Sequence, residues 1–219
     1  MVVLVHGGFW KPAYDRSVMR PLVAPLVHEG WAVANIEYRR IGWPALCADA
    51  AAAVDALAAV DAIDLDRVIT IGHSAGGHLA TWLASRHRLP PGSPGAAPAV
   101  TVAGVVAQAG VLDLEAAAEQ RLGDGATQSF LGGEPNEVPD RYAAASPIEL
   151  LPIGVPVELV HGRRDTHVPL DQSRRYEAAA RGAGDPVSLT EVAGDHFAII
   201  DTTTDDWAAC VAAARRLLA

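Results

Sequence analysis

Ile69-Thr70-Ile71-Gly72-His73-Ser74-Ala75-Gly76-Gly77 decides the reading of this chain. It joins a short apolar run to a helix-prone stretch through G-x-S-x-G, the pattern of a nucleophile elbow. The serine of such a turn sits on a sharp, strained backbone, and glycines two before and two after leave room for it. A helix beginning at Ala75 aims free N–H groups and its positive end back at Ser74. The Ala75 N–H is therefore a candidate donor to a developing oxyanion.

The same alternation continues on either side. Strands are expected at 2–5, 31–37, 68–71, 100–109, 155–160 and 186–192. Helices are expected at 17–29, 44–62, 75–86, 171–181 and 205–218. Continuous apolar strands alternating with helices imply a parallel sheet covered on both faces, with right-handed crossovers. Residues 89–98 hold four prolines and two glycines and read as a surface loop. Residues 111–151 read as short helices and loops, the candidate for a cap-like insertion. No repeat or linker divides the chain, so 1–219 reads as one domain.

Composition narrows the function. Seventeen basic against 26 acidic residues give a formal charge of −9, and the basic residues are scattered, their local clusters (Arg39-Arg40, Arg163-Arg164, Arg174-Arg175) being pairs rather than a stripe. That balance argues against nucleic acid, whose phosphates would be repelled. No apolar run is long enough to span a membrane. The opening residues Met1–Val5 lack a basic n-region, so a cytoplasmic protein is expected. Cys47 and Cys210 show neither metal nor redox spacing and read as small buried hydrophobes.

A serine needs a base, and in this chain order the acid and the histidine follow it. His196, in Ala193-Gly194-Asp195-His196-Phe197, lies after the sixth strand, at the end where parallel sheets carry their chemistry. Among the other histidines, His6, His73 and His78 sit too close to their own turns. His28 and His87 read as surface residues, His161 as structural, and His167 as the rival base. The acid is expected at Asp165, in His161-Gly162-Arg163-Arg164-Asp165-Thr166-His167-Val168-Pro169. Asp171 falls where a helix needs a cap, and Asp195 is expected to point away from His196.

The loop after the first strand reads His6-Gly7-Gly8-Phe9-Trp10. Its glycines let backbone N–H groups turn inward, so Gly8 and Phe9 are expected to complete the oxyanion hole with Ala75. His6 is expected to tie this loop down, and Trp10 to wall a substrate pocket.

With these motifs in order, the chain resembles the α/β-hydrolase superfamily over essentially its whole length. H-G-G-F-W together with G-H-S-A-G-G-H-L-A resembles the arylformamidase (kynurenine formamidase) and esterase/lipase branch. Phe9 and Gly77 depart from that branch, which carries H-G-G-Y-W and often G-H-S-A-G-A-H. The resemblance implies nucleophile, acid and base at Ser74, Asp165 and His196. It implies a sheet of about six strands that begins on the H-G-G strand, without the two strands that usually precede it. The expected reaction is hydrolysis of small carboxylic esters through an acyl-serine, needing no metal or cofactor, with formamide hydrolysis as the alternative. A hydrolase fold turned binding module is the alternative of another class, and the intact set of three side chains argues against it. Oligomeric state is not legible in the sequence.

Overall fold

The computed structural model describes residues 1–219. Six strands form one parallel sheet: β1 (Val2–Val5), β2 (Val33–Asn35), β3 (Ile69–His73), β4 (Gly104–Gln108), β5 (Val157–Gly162) and β6 (Val187–Val192). Their spatial order is β2-β1-β3-β4-β5-β6, with every adjacent pair parallel. The helices are α1 (Arg20–His28), α2 (Ala45–Asp55), α3 (Ala75–Ser85), α4 (Leu114–Glu119), α5 (Leu122–Leu131), α6 (Pro139–Ala145), α7 (Asp171–Ala183) and α8 (Asp205–Leu218).

Strand periodicity splits the core into two layers. Val2 and Leu4 of β1, with Ile69 and Ile71 of β3, point to the face covered by α1 and α8. Val3 and Val5 point the other way, into a larger cluster that takes in α2, α3 and the helices of 111–151. In β1 and β4 both faces are buried, so apolar residues follow one another, whereas the edge strand β6 is half-buried and largely alternates apolar with polar residues.

Several expected boundaries shift for identifiable reasons. The helix expected over 17–29 is a 3-10 turn, Arg16–Met19, followed by α1, and it stops at Gly30, whose φ is +86°. The strand expected over 31–37 is cut to three residues, because Glu37 leaves the ladder to meet His6. The expected strand at 100–109 starts only at Gly104. Ahead of it, the Ala99 and Val100 N–H groups donate to the Asp55 carboxylate instead of a neighbouring strand. The helix expected over 44–62 ends at Asp55 and tightens into a 3-10 turn over Ala56–Ala59. Asp171 is the first residue of α7 rather than its cap, and its carboxylate pairs with Arg175. Residues 111–151 form α4, α5, α6 and a 3-10 turn, and they bury Leu114, Phe130 and Tyr142 in the larger core.

The elbow dictates how closely its neighbours approach. A Cβ on Gly72 would lie 2.0 Å from the Gly76 carbonyl oxygen, and one on Gly76 would lie 2.1 Å from the Val5 carbonyl oxygen. These obstacles are backbone and cannot swing aside. Gly76→Ala is expected to lower stability by about 3 kcal/mol or more, a fall in Tm of at least ~6 °C. Gly182, in α7 with open space where its Cβ would be, provides the contrast. Gly182→Ala is expected to raise stability by about 0.5–1 kcal/mol. Calorimetry on the two variants checks both signs, and equal Tm values would contradict the crowding argument.

Candidate active site

Ser74 stands between β3 and α3 with φ 58° and ψ −123°, outside the regions an L-residue prefers. A residue held this way costs about 1–3 kcal/mol, which the surrounding structure must offset. Backbone bonds lock the turn. The Ser74 N–H donates to the Gln108 carbonyl at 2.8 Å, and the Ser74 carbonyl accepts from Gly77 and His78. Ala75 opens α3, so its N–H has no acceptor one turn back. The Gly8 and Phe9 N–H groups likewise donate to no protein acceptor.

Gly7, Gly8, Phe9, His73, Ser74, His167, His196 and Phe197 border one cavity of about 150 Å³, with Tyr14 and Val18 completing it. These residues come from the carboxyl ends of β1, β3, β5 and β6, the rim where parallel sheets gather ligands. The Ser74 side chain and the His196 ring face this cavity without a hydrogen bond between them. Such bonds commonly tighten only when substrate is present.

The acid–histidine pair is formed. His196 Nδ1 donates to Asp165 Oδ2 at 2.6 Å, and the carboxylate is fully buried. Its other oxygen accepts from the His167 and Val168 N–H groups at 2.8 and 2.9 Å. His161 Nε2 lies 3.3 Å from Oδ2. Burial alone would raise the Asp165 pKa. Hydrogen bonds from His161 and His196, the His196 charge and the Val168 N–H outweigh it and hold the carboxyl well below the usual range. His161 is structural in its remaining bonds, to the Val168 carbonyl and the Ser173 hydroxyl. His167, the rival base, contributes its backbone to Asp165, and its ring stacks on His196 with centroids 5.0 Å apart. Asp195 points away, accepting from the Phe197 and Ala198 N–H groups.

Four side chains that the sequence analysis did not assign to the site shape it. His73 is buried behind His196, their ring centroids 4.5 Å apart, and its Nε2–H donates to the His196 carbonyl at 2.8 Å. Glu37 accepts from His6 Nε2 at 3.0 Å, while His6 Nδ1 lies 2.8 Å from the Gly7 carbonyl oxygen. Tyr38 stacks on His6 and donates its hydroxyl to the His6 carbonyl. Together they tie down the Gly7–Phe9 loop, the part His6 was expected to play. The fourth is His78. Its Nδ1 accepts from the Trp10 indole at 3.2 Å, and its Nε2–H donates to the Ala145 carbonyl at 2.9 Å.

That last pair shows where Trp10, expected to wall a substrate pocket, lies. The residue does not border the cavity at Ser74. With φ +57° the chain turns its indole into the core, where it stacks on Phe130 and finds His78 as acceptor. Residues 111–151 also contribute nothing to the lining of this cavity. Gly123 packs against its wall, since an added Cβ there would lie 2.7 Å from the Phe9 ring.

Buried histidines make stability depend on pH. Burial, reinforced by the His196 charge, pushes His73 down to about 3, and burial pushes His78 down to about 4. The unfolded chain protonates both near the ordinary value of 6.5. Their contribution is therefore complete above that value and is lost as pH falls toward the folded values. From pH 6 to 5 the unfolding free energy is expected to drop by about 2 kcal/mol, as two rings gain protons only on unfolding. Denaturant titrations across that interval check it, and a constant unfolding free energy would contradict it. Trp10→Phe, which strands His78 Nδ1, is expected to cost about 2 kcal/mol or more. Unchanged stability in that variant would remove Trp10–His78 from the scaffold.

Several known proteins are similar to this chain. The BD-FAE family model matches residues 1–179. Esterase LipQ of Mycobacterium tuberculosis is 32% identical over 209 residues, covering 90% of this chain and 50% of LipQ. The chain spans about half the length of the curated relatives it matches. Among solved structures, a truncated carbohydrate esterase from gut microbiota superposes with a TM-score of 0.82 at 21% identity, covering 99% of this chain and 84% of that one. The butyrate-bound Est2 esterase of the planctomycete Thermogutta terrifontis superposes at 0.77 with 22% identity, covering 99% and 82%. No helix here is long and apolar enough to cross a membrane. By the extent of the family match and the identity to LipQ, this chain belongs to the BD-FAE family of the α/β-hydrolase superfamily.

Proposed function

We propose that this chain hydrolyses small carboxylic esters through an acyl-Ser74 intermediate. The observation that carries the reading is the buried 2.6 Å Asp165–His196 bond beside a cavity that Ser74 also borders. In this reading His196 Nε2 takes the Ser74 proton as the hydroxyl attacks the ester carbonyl. Asp165 keeps the other ring nitrogen protonated and stabilises the imidazolium. The proton then passes to the leaving alcohol, and a water activated by the same ring releases the acid.

The Ala75, Gly8 and Phe9 N–H groups are the proposed oxyanion donors. Each is worth on the order of 3 kcal/mol if it meets the oxyanion directly. The strained Ser74 and the Glu37–His6 brace hold these donors in place before substrate arrives, so little reorganisation is needed during the reaction. A cavity of about 150 Å³ suits a short acyl or small aryl group. Butyrate in the Est2 structure is consistent with that size. Formamide hydrolysis is the second reading. It is supported by the H-G-G-F-W and G-H-S-A-G-G-H motifs, while Phe9 removes the hydroxyl that the arylformamidase pattern carries.

A panel of p-nitrophenyl esters of graded chain length beside N-formylkynurenine tests the choice. Highest kcat/KM on the acetyl to butyryl esters is expected. A formamide turned over faster than every ester would move the chain to the second reading. On the best ester, Asp165→Asn is expected to lower kcat by about 10⁴. Near-normal turnover in that variant would remove Asp165 from its role.

A further inference from the structure

A second cavity, of about 270 Å³, lies on the far side of Phe9 from Ser74. Phe9 is the wall the two share. Trp10, Phe130 and Ala126 give the second cavity an apolar lining, and Lys11 and Arg40 are the charged residues at its border, with no acid among them. In a chain of formal charge −9, that is a local reversal of sign. Lys11 is held close by. Its Nζ donates to the Gly123 carbonyl at 2.9 Å and sits 5.9 Å from the Phe9 ring centroid. An ammonium ion with one carbonyl acceptor keeps two further donors.

Arg40 borders both this cavity and the acid-lined groove beside it, where Glu37 and the Tyr38 carbonyl engage one of its terminal nitrogens. Glu37 offsets much of its charge, so Lys11 is the cation that keeps donors free for a ligand anion.

The geometry points to an anion subsite here. The substrates preferred at Ser74 are esters that carry a carboxylate, or a comparable anionic group, reaching past Phe9 to Lys11 and Arg40. This rests on the ester-hydrolase reading for its catalytic consequence, whereas the anion site itself does not.

Two substrate series test it at low ionic strength. One is mono-p-nitrophenyl esters of glutaric, adipic and suberic acids against p-nitrophenyl esters of the matching monocarboxylic acids. The other is 4-acetoxyphenylacetate against 4-methylphenyl acetate. The quantity read is the ratio of kcat/KM, anionic over neutral, in the wild type and in Lys11→Gln. Lys11 is exposed, so the variant is expected to fold. In at least one series the ratio is expected to exceed one, to fall about fivefold in Lys11→Gln, and to fall with added salt. A ratio below one in both series, or one that Lys11→Gln leaves unchanged, would overturn the proposal. Fluorophosphonate labelling separates the two claims. If Ser74 is not labelled and no ester is cleaved, the hydrolase reading fails. The subsite is then judged by calorimetric titration of glutarate and 4-hydroxyphenylacetate, where binding that Lys11→Gln weakens supports it and no binding of either overturns it.

Discussion

The left-handed backbone of Ser74 is the constraint on which the rest of the structure depends. A serine at φ 58° survives only where its surroundings leave no easier alternative. Here β3 enters and α3 leaves at a sharp angle, because Gly72 and Gly76 allow backbone to approach backbone at distances no side chain would permit. Gly7 belongs to the same fit, since a Cβ there would lie 2.5 Å from the His73 carbonyl oxygen. The loop carrying Gly8 and Phe9 is thus set against the elbow by glycines on both sides. One crowded point brings together the carboxyl ends of β1 and β3, and with them the serine and its neighbouring N–H groups.

A second set of contacts orients the acid and the histidine. Asp165 is buried, yet remains ionised because histidine and backbone donors surround it. His196 lies between His73 on its buried side and His167 on its open side. His73, kept neutral by burial, can donate only one proton, and it gives that to the His196 carbonyl. The Trp10–His78 pair connects the first-strand loop to α3 and, through Ala145, to α6. Shape at the site therefore rests on paired, neutral imidazoles as much as on apolar packing. The same feature makes the fold sensitive to acid, since the buried His73 and His78 rings must be neutral to fit.

Much of this was legible in the sequence because it is written locally. G-x-S-x-G, the glycine pair after β1 and the turn carrying Asp165 each specify a backbone shape within a few residues. The α/β alternation follows from uninterrupted apolar strands. What stayed hidden depends on partners far apart along the chain. Glu37 meets His6 across 31 residues and Trp10 meets His78 across 68. No periodicity marks such a pair, so the buried acceptor that the Trp10 indole N–H requires was not legible. Strand ends failed for a related reason. Val100 and Val102 look like strand residues and are buried, but Asp55 draws the backbone before them out of the ladder.

The central claim is that Ser74, set in this strained turn, becomes covalently acylated during turnover. Rapid quenching of the reaction with p-nitrophenyl butyrate, followed by peptide mass spectrometry, tests it directly. The account predicts a transient butyryl group on the peptide containing Ser74, lost at the rate of turnover and absent from Ser74→Ala. Turnover with no acylated peptide, or acylation on another residue that persists in Ser74→Ala, would contradict it.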